Sequence, residues 1–309
     1  MLVLINEQGD IISYRADIPW CASLLIIGRE EVDSVVDPQG LVEDIRNVYL
    51  SQYIAFERVS SIISGSWFGI MRGFHEELGF LVKIVGIFPQ AYPRVKGVVV
   101  VIDHVTGNLK ALIDGYSLTG WRTAGASALA QIILGGYSIE TLGIIGAGTQ
   151  ALYHLRVFTK LFRIGRILIS TRSPEKARDL AREFGAEQVS ARDLNATATT
   201  VIAATNSSEP VVIGDLLSPG SIVISVGAPK PVRELDERTI QRAGCALVDT
   251  RQGVLEESDD VKGIEVVEIG EALRGKRCVF RDIKLYKSVG TSILDIAGAI
   301  HILRRMGVK

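Results

Sequence analysis

Cysteine is scarce: Cys21, Cys245 and Cys278 are all that 309 residues contain. Three scattered thiols exclude the disulfide framework that staples small secreted domains, and without a C-x-x-C pair nothing suggests zinc. Histidine is nearly as rare. His75, His104, His154 and His301 show no H-x-x-x-H spacing, so no metal site is expected and each reads as a surface or satisfied histidine. An excess of either charge is also missing: 34 Lys and Arg stand against 35 Asp and Glu, a net charge of -1, with a pI near 6.5. Polyanion binders carry a basic stripe or patch, so nucleic acid is not expected as a partner and a small ligand is. No apolar run approaches the roughly 18 residues of a membrane span. The opening "MLVLINEQGD" has neither a basic n-region nor a long enough apolar core for a signal peptide, so a cytoplasmic protein with no membrane partner is expected. No G-x-S-x-G elbow occurs, which removes the simplest hydrolase reading.

What the chain has is length enough for two lobes, and two textures. Asp37 and Pro38 open "PQGLVEDIRNVYLSQYIA", residues 38–55, whose apolar spacing predicts a capped amphipathic helix. Next come β-branched runs, "GFLVKIVGIFP" and "GVVVVIDHVTGNLKALID", with "DHVTGN" as a hairpin turn. From about residue 120, apolar strands such as "TLGIIGAG", "RILISTR", "TTVIAAT" and "SIVISVGA" alternate with helices. That alternation predicts an α/β architecture, a doubly wound parallel sheet buried on both faces. The closing "TSILDIAGAIHILRRMG" reads as a helix packed back on the first lobe, with Ser292 and Asp295 spaced as a capping-box variant.

Within "GIIGAGTQA", Gly146, Gly148 and Ala151 form G-x-G-x-x-A between a predicted strand and a predicted helix. In such a turn the first glycine permits the tight bend, the second lets backbone approach a pyrophosphate, and the third position needs a small side chain for close packing. The helix start offers free N–H groups to phosphate. Gly146, Ala147, Gly148, Thr149, Gln150 and Ala151 are therefore candidate dinucleotide contacts. After the next strand come Thr171, Arg172 and Ser173, with no carboxylate before Glu175. A ribose-binding acid is absent and an arginine is present, which favours NADP(H), with NAD(H) as the alternative. Thr205 and Asn206, after "TTVIAAT", together with Val226 and Gly290, are the remaining expected cofactor contacts.

Taken in order, "GWRTAGASALA", "GIIGAGTQA" and "KSVGTSILDIAGA", with "LVKIVGIFP" and "SVGAPKPVREL", resemble the ornithine cyclodeaminase/mu-crystallin family from about Arg58 to Gly298. Residues 1–35 fall outside the resemblance. It implies a homodimer built from a Rossmann lobe, residues 120–288, and a discontinuous α+β substrate-binding and dimerisation lobe, residues 1–119 and 289–309. An active site between them would act on a small amino or imino acid. Members include ornithine cyclodeaminases, archaeal alanine dehydrogenases and ketimine reductases. The family holds the substrate carboxylate with two arginines and a lysine, which implies Arg58, Lys83 and Arg122 here. Arginine offers a planar fork and lysine a compact proton donor, and Lys83 is the candidate catalytic residue. Arg122 is read at a helix start, where the macrodipole disfavours a cation and calls for an anionic partner.

One departure bears on the reaction. Cyclodeaminases and archaeal alanine dehydrogenases carry an aspartate in the loop that begins "SVGAPKPVREL"; here Pro229 stands at or beside that place and Glu234 is the first acid. Glu234 is expected at an exposed first-turn position. The run "EESDD", residues 256–260, reads as a solvated loop. The resulting expectation is an NADP(H)-linked imino-acid reductase or amino-acid dehydrogenase. Ornithine cyclodeamination and a non-catalytic nucleotide-binding protein are the rivals.

Overall fold

A computed structural model describes residues 2–5, 11–14, 24–91 and 93–308. Cys21 lies outside them. Leu2–Ile5 and Ile11–Tyr14 form an antiparallel pair, and two larger sheets carry the rest.

The first sheet grows from the β-branched runs. Leu109–Asp114, Val95–Ile102, Gly79–Ile87 and Ser66–His75 pair antiparallel in that order. Leu25–Ile27 lies parallel on one edge, while Tyr53–Ala55 and Val59–Ile63 both pair with Ser66–His75. The turn at 103–108 is set by Asp103, whose Oδ1 accepts from Val105 N and Thr106 N, and by Gly107 at φ 73°. Side chains alternate across a strand. Leu81, Lys83 and Val85 therefore face inward, while Phe80, Val82 and Ile84 face out.

The second sheet has eight strands, all parallel. Its order is Glu187–Gln188, Arg163–Ser170, Ser138–Ile145, Thr200–Ala203, Ile222–Ser225, Lys284–Lys287, Cys245–Val248 and Glu265–Glu268. The central strands are buried on both faces, as their continuous apolar runs require. Order reverses between Ser138–Ile145 and Thr200–Ala203, and such a switch point opens a crevice at the strands' carboxyl ends.

The helix Gly115–Gly135 joins the two sheets, packing on Val95–Ile102 and also on Ile222–Ser225 and Lys284–Lys287. Its small residues, among them Ala124, Ala126, Ala128 and Ala130, are fully buried and allow close approach on several sides. The last helix, Ser292–Arg305, packs on this helix, on Pro38–Leu50 and on the strand Ser66–His75.

Some local expectations change. The helix opened by Asp37, which accepts from Gly40 N, ends at Leu50 and not at 55; Tyr53–Ala55 instead supplies a strand to the sheet edge. The last helix is capped by Thr291, not by a Ser292–Asp295 box, because Asp295 points into the protein toward two cations. Cys245 and Cys278 are joined as a disulfide, between the first residue of Cys245–Val248 and the segment that leads into Lys284–Lys287. No helix among the described residues is long and apolar enough to cross a membrane.

Candidate active site

The dinucleotide turn leaves the carboxyl end of Ser138–Ile145. Gly146 has φ 120°, and a Cβ there would lie 2.4 Å from the carbonyl oxygen of Ala204, so the bend requires glycine. At Gly148 an added Cβ meets nothing within 4 Å. That open space adjoins the start of the helix Thr149–Leu161, whose N-cap, Gly148, makes no side-chain capping bond. Ala151 is buried, and Gln150 Oε1 is buried without a partner among the described residues. Bare backbone facing open space and uncapped N–H groups suit a pyrophosphate. The Thr149 hydroxyl meets Tyr116 Oη at 2.8 Å.

Other expected cofactor residues spread along the same edge. Thr171, Arg172 and Ser173 follow Arg163–Ser170; Arg172 is exposed and has no ion-pair partner among the described residues. Thr205 follows Thr200–Ala203, but its N–H and hydroxyl both donate to Glu234 Oε1, at 2.6 and 2.8 Å. Asn206 is exposed beside it, and Val226 follows Ile222–Ser225 half-buried. Gly290, just past Lys284–Lys287 on that edge, also lies against the candidate substrate arginines: at φ 84° it passes so close to Arg122 that a Cβ would lie 2.8 Å from Nη2.

Lys83 and Arg122 meet, and Arg58 reaches the same loop. Lys83 occupies the middle of its strand, between Met71 and Val99, and is buried. Its Nζ donates to Asp295 Oδ1 at 2.8 Å and to Thr119 Oγ1 at 2.6 Å. Burial pulls the ammonium down from its ordinary value; Asp295 opposes this, Arg122 and Arg58 add to it, and the group rests at about 8. Arg122 is two turns inside the helix Gly115–Gly135 rather than at its start, and its Nε donates to the same Asp295 oxygen at 3.0 Å. The anionic partner it called for is thus Asp295. Burial pushes the Asp295 carboxyl up, and the two cations reverse this to leave it below its ordinary value. Arg122 Nη1 and Nη2 have no protein acceptor among the described residues.

Arg58, between Tyr53–Ala55 and Val59–Ile63, pairs with Glu257 and donates to the carbonyls of Val289 and Gly290, at 3.1 and 2.7 Å. Two expectations about acids therefore fail. The 256–260 run is solvated only in part: Glu256 and Asp259 are exposed, but Glu257 is held by Arg58, and Asp260 is buried against Lys287 at 2.7 Å. Glu234 is not exposed, because the helix it was placed on begins at Glu237 with Asp236 as cap. It is buried, and its Oε2 accepts from Ser225 Oγ and Gly227 N while Oε1 serves Thr205. Asp249 was missed altogether. It accepts from Ser288 Oγ, Val289 N and Gly290 N, fixing the loop over Arg122. Chain separations this long carry no local sequence signal.

Residues 67–308 match the model of the ornithine cyclodeaminase/mu-crystallin family. The ketimine reductase mu-crystallin of Mus musculus is 33% identical over 217 residues, 68% of this chain and 69% of that one. A Δ1-pyrroline-2-carboxylate reductase of Bacillus cereus is 28% identical across 99% of this chain and 96% of its own length. The Δ1-pyrroline-2-carboxylate reductase of Thermococcus litoralis, solved in complex with NADH and L-proline, superposes with a TM-score of 0.83 at 27% identity, covering 92% of this chain and 98% of that one.

Proposed function

Because the chain belongs to the ornithine cyclodeaminase/mu-crystallin family, we propose that it reduces an α-imino acid to the amino acid with a nicotinamide dinucleotide, or runs the reverse oxidation. A cyclic imine such as Δ1-pyrroline-2-carboxylate is the first substrate to try, since reductases of that compound match nearly the whole chain. One observation carries the reading: Lys83 and Arg122 converge on Asp295 Oδ1, and the open fork of Arg122 lies against Gly290, just past the carboxyl end of Lys284–Lys287, on the sheet edge that holds the dinucleotide turn. In this reading residues 1–119 and 289–309 bind substrate and dimerise, and 120–288 bind the cofactor.

When bound, the dinucleotide supplies a hydride to the α-carbon. Gly146 to Ala151 would hold its pyrophosphate, with Thr171, Arg172, Ser173, Thr205, Asn206 and Val226 along the rest of the edge. Arg172, exposed and without an ion-pair partner among the described residues, supports a preference for the 2′-phosphate of NADP(H), although the Thermococcus litoralis relative was solved with NADH. Arg122 Nη1 and Nη2 take the substrate carboxylate, fixing the α-carbon in reacting position. Lys83 gives a proton to the imine nitrogen as the C=N bond is reduced, and water reprotonates it afterwards. Arg58 can share that carboxylate only by loosening Glu257.

Cyclodeamination of ornithine calls for a free base near the reacting carbon. Glu234, the first acid of the 226–234 loop, is buried with both oxygens engaged, which disfavours that route. The test compares stoichiometric NADPH oxidation with Δ1-pyrroline-2-carboxylate against proline formation from ornithine with catalytic cofactor. Net oxidation is expected. Efficient ornithine turnover with the imine left untouched would reverse the assignment.

A further inference from the structure

Asp295 was read from sequence as a helix cap, and it does something else. Buried one turn into Ser292–Arg305, it uses a single oxygen, Oδ1, for both Lys83 Nζ and Arg122 Nε. Its other oxygen has no partner among the described residues. A buried carboxylate normally spends both oxygens on hydrogen bonds, so this arrangement concentrates two cations on one point. Two consequences follow from the geometry. With Nε tied down, the guanidinium plane is fixed and its terminal nitrogens are left for another anion. With Thr119 and Asp295 each taking one Lys83 proton, and the Thr119 hydroxyl itself donating to Gly115 O, the third ammonium proton is the one left to give.

Charge points the same way. Lys83 and Arg122 against Asp295 leave one net positive charge, which one substrate carboxylate neutralises. Without Asp295 two buried cations would face each other, with Arg58 adding a third that Glu257 balances. Lys83 would then shed its proton, since arginine does not. We propose that Asp295 is a positioning residue of this site: through Oδ1 it aims both the Lys83 ammonium and the Arg122 fork, and its charge lets the two cations coexist.

The inference rests on the reductase reading, and the test separates the two. Rates of NADPH oxidation with Δ1-pyrroline-2-carboxylate are measured across pH for wild type, Asp295→Asn and Asp295→Glu, alongside dissociation constants for L-proline by calorimetry. Wild type that fails to reduce the imine at any pH sinks the reductase reading and this inference with it. Given an active wild type, Asp295→Asn should move the alkaline limb of kcat down by about one pH unit or more and weaken L-proline roughly tenfold or more. Asp295→Glu keeps the charge but moves its oxygen by a methylene, so the limb should stay while kcat falls roughly tenfold. A limb shared by Asp295→Asn and wild type, or moved equally by both variants, overturns the proposal. If Asp295→Asn does not fold, Asp295→Glu decides alone: wild-type kcat and L-proline affinity refute the aiming role.

Discussion

Gly146 and Gly148 stand two residues apart in one turn, and the structure assigns them opposite failures. At Gly148 the backbone is extended, φ -93° and ψ -167°, which any residue adopts, and an added methyl meets nothing within 4 Å. Alanine there loses a few tenths to about 1 kcal/mol as a poorer helix cap and regains about 0.4–1 kcal/mol from a stiffer unfolded chain. The melting temperature of Gly148→Ala should therefore stay within about 2–4 °C of wild type. That methyl would nonetheless stand where a pyrophosphate must touch backbone. Losing one charge-assisted contact of about 1.5–3 kcal/mol weakens the dinucleotide roughly 10- to 150-fold. Gly146→Ala places its methyl 2.4 Å from Ala204 O at a φ of 120°. Backbone strain of about 1–3 kcal/mol and overpacking of a similar size should cost about 2–6 kcal/mol, a large share of a typical fold's stability. Thermal melts and titration of NADPH fluorescence measure both quantities. Wild-type dinucleotide affinity in a folded Gly148→Ala protein would refute the assignment of this turn.

Other outcomes can be read with equally simple assays. Arg172→Ala should weaken NADPH but not NADH, by the roughly 10-fold or more that a lost phosphate contact implies; equal losses would reject the 2′-phosphate assignment. His154 is buried between Gln150 O and Ser127 Oγ, and burial lowers it to about 4 from its ordinary 6.5. The unfolded chain takes up that proton first as pH falls, so the histidine's contribution is full above 6.5 and is lost on the way down to about 4. The gap amounts to about 3 kcal/mol. His154→Gln should flatten the pH dependence of unfolding by about that much, and an equal shift of the urea midpoint between pH 7 and 4.5 in variant and wild type would contradict this. The outward face of the antiparallel sheet exposes Phe68 and Phe80 at 41% and 49%, with Ile54 and Phe56 near its edge. We expect two copies to cover this face, and Phe80→Lys to give a monomer in sedimentation; a compact wild-type monomer at micromolar concentration would count against it.

How much of this was legible in the chain depends on distance along it. The parallel sheet and its phosphate turn could be read because strand, glycines and helix follow within a dozen residues, and Lys83 stood out as a cation inside an apolar strand. Asp295 could not be read. Its partners lie 212 and 173 residues away, so the only visible pattern was local, a serine and an acid at capping distance. Glu257 and Glu234 are hidden in the same way: adjacent charges around the first, and an apparent helix start at the second, suggest water until Arg58, Thr205 and Gly227 are folded against them. Buried charges are placed by topology, while their neighbours in sequence describe only solvent.

The strand Gly79–Ile87 serves two masters through its alternation. One side offers Lys83 to the interior and the other offers Phe80, Val82 and Ile84 outward. Insertion or deletion of a single residue near its start would trade the two sets, sending the lysine into the apolar outer surface and a valine or isoleucine into the charged interior. On the proposed reading, such a lesion would remove the proton donor and the apolar outer face together. A length change in the turns at either end would leave the alternation in phase.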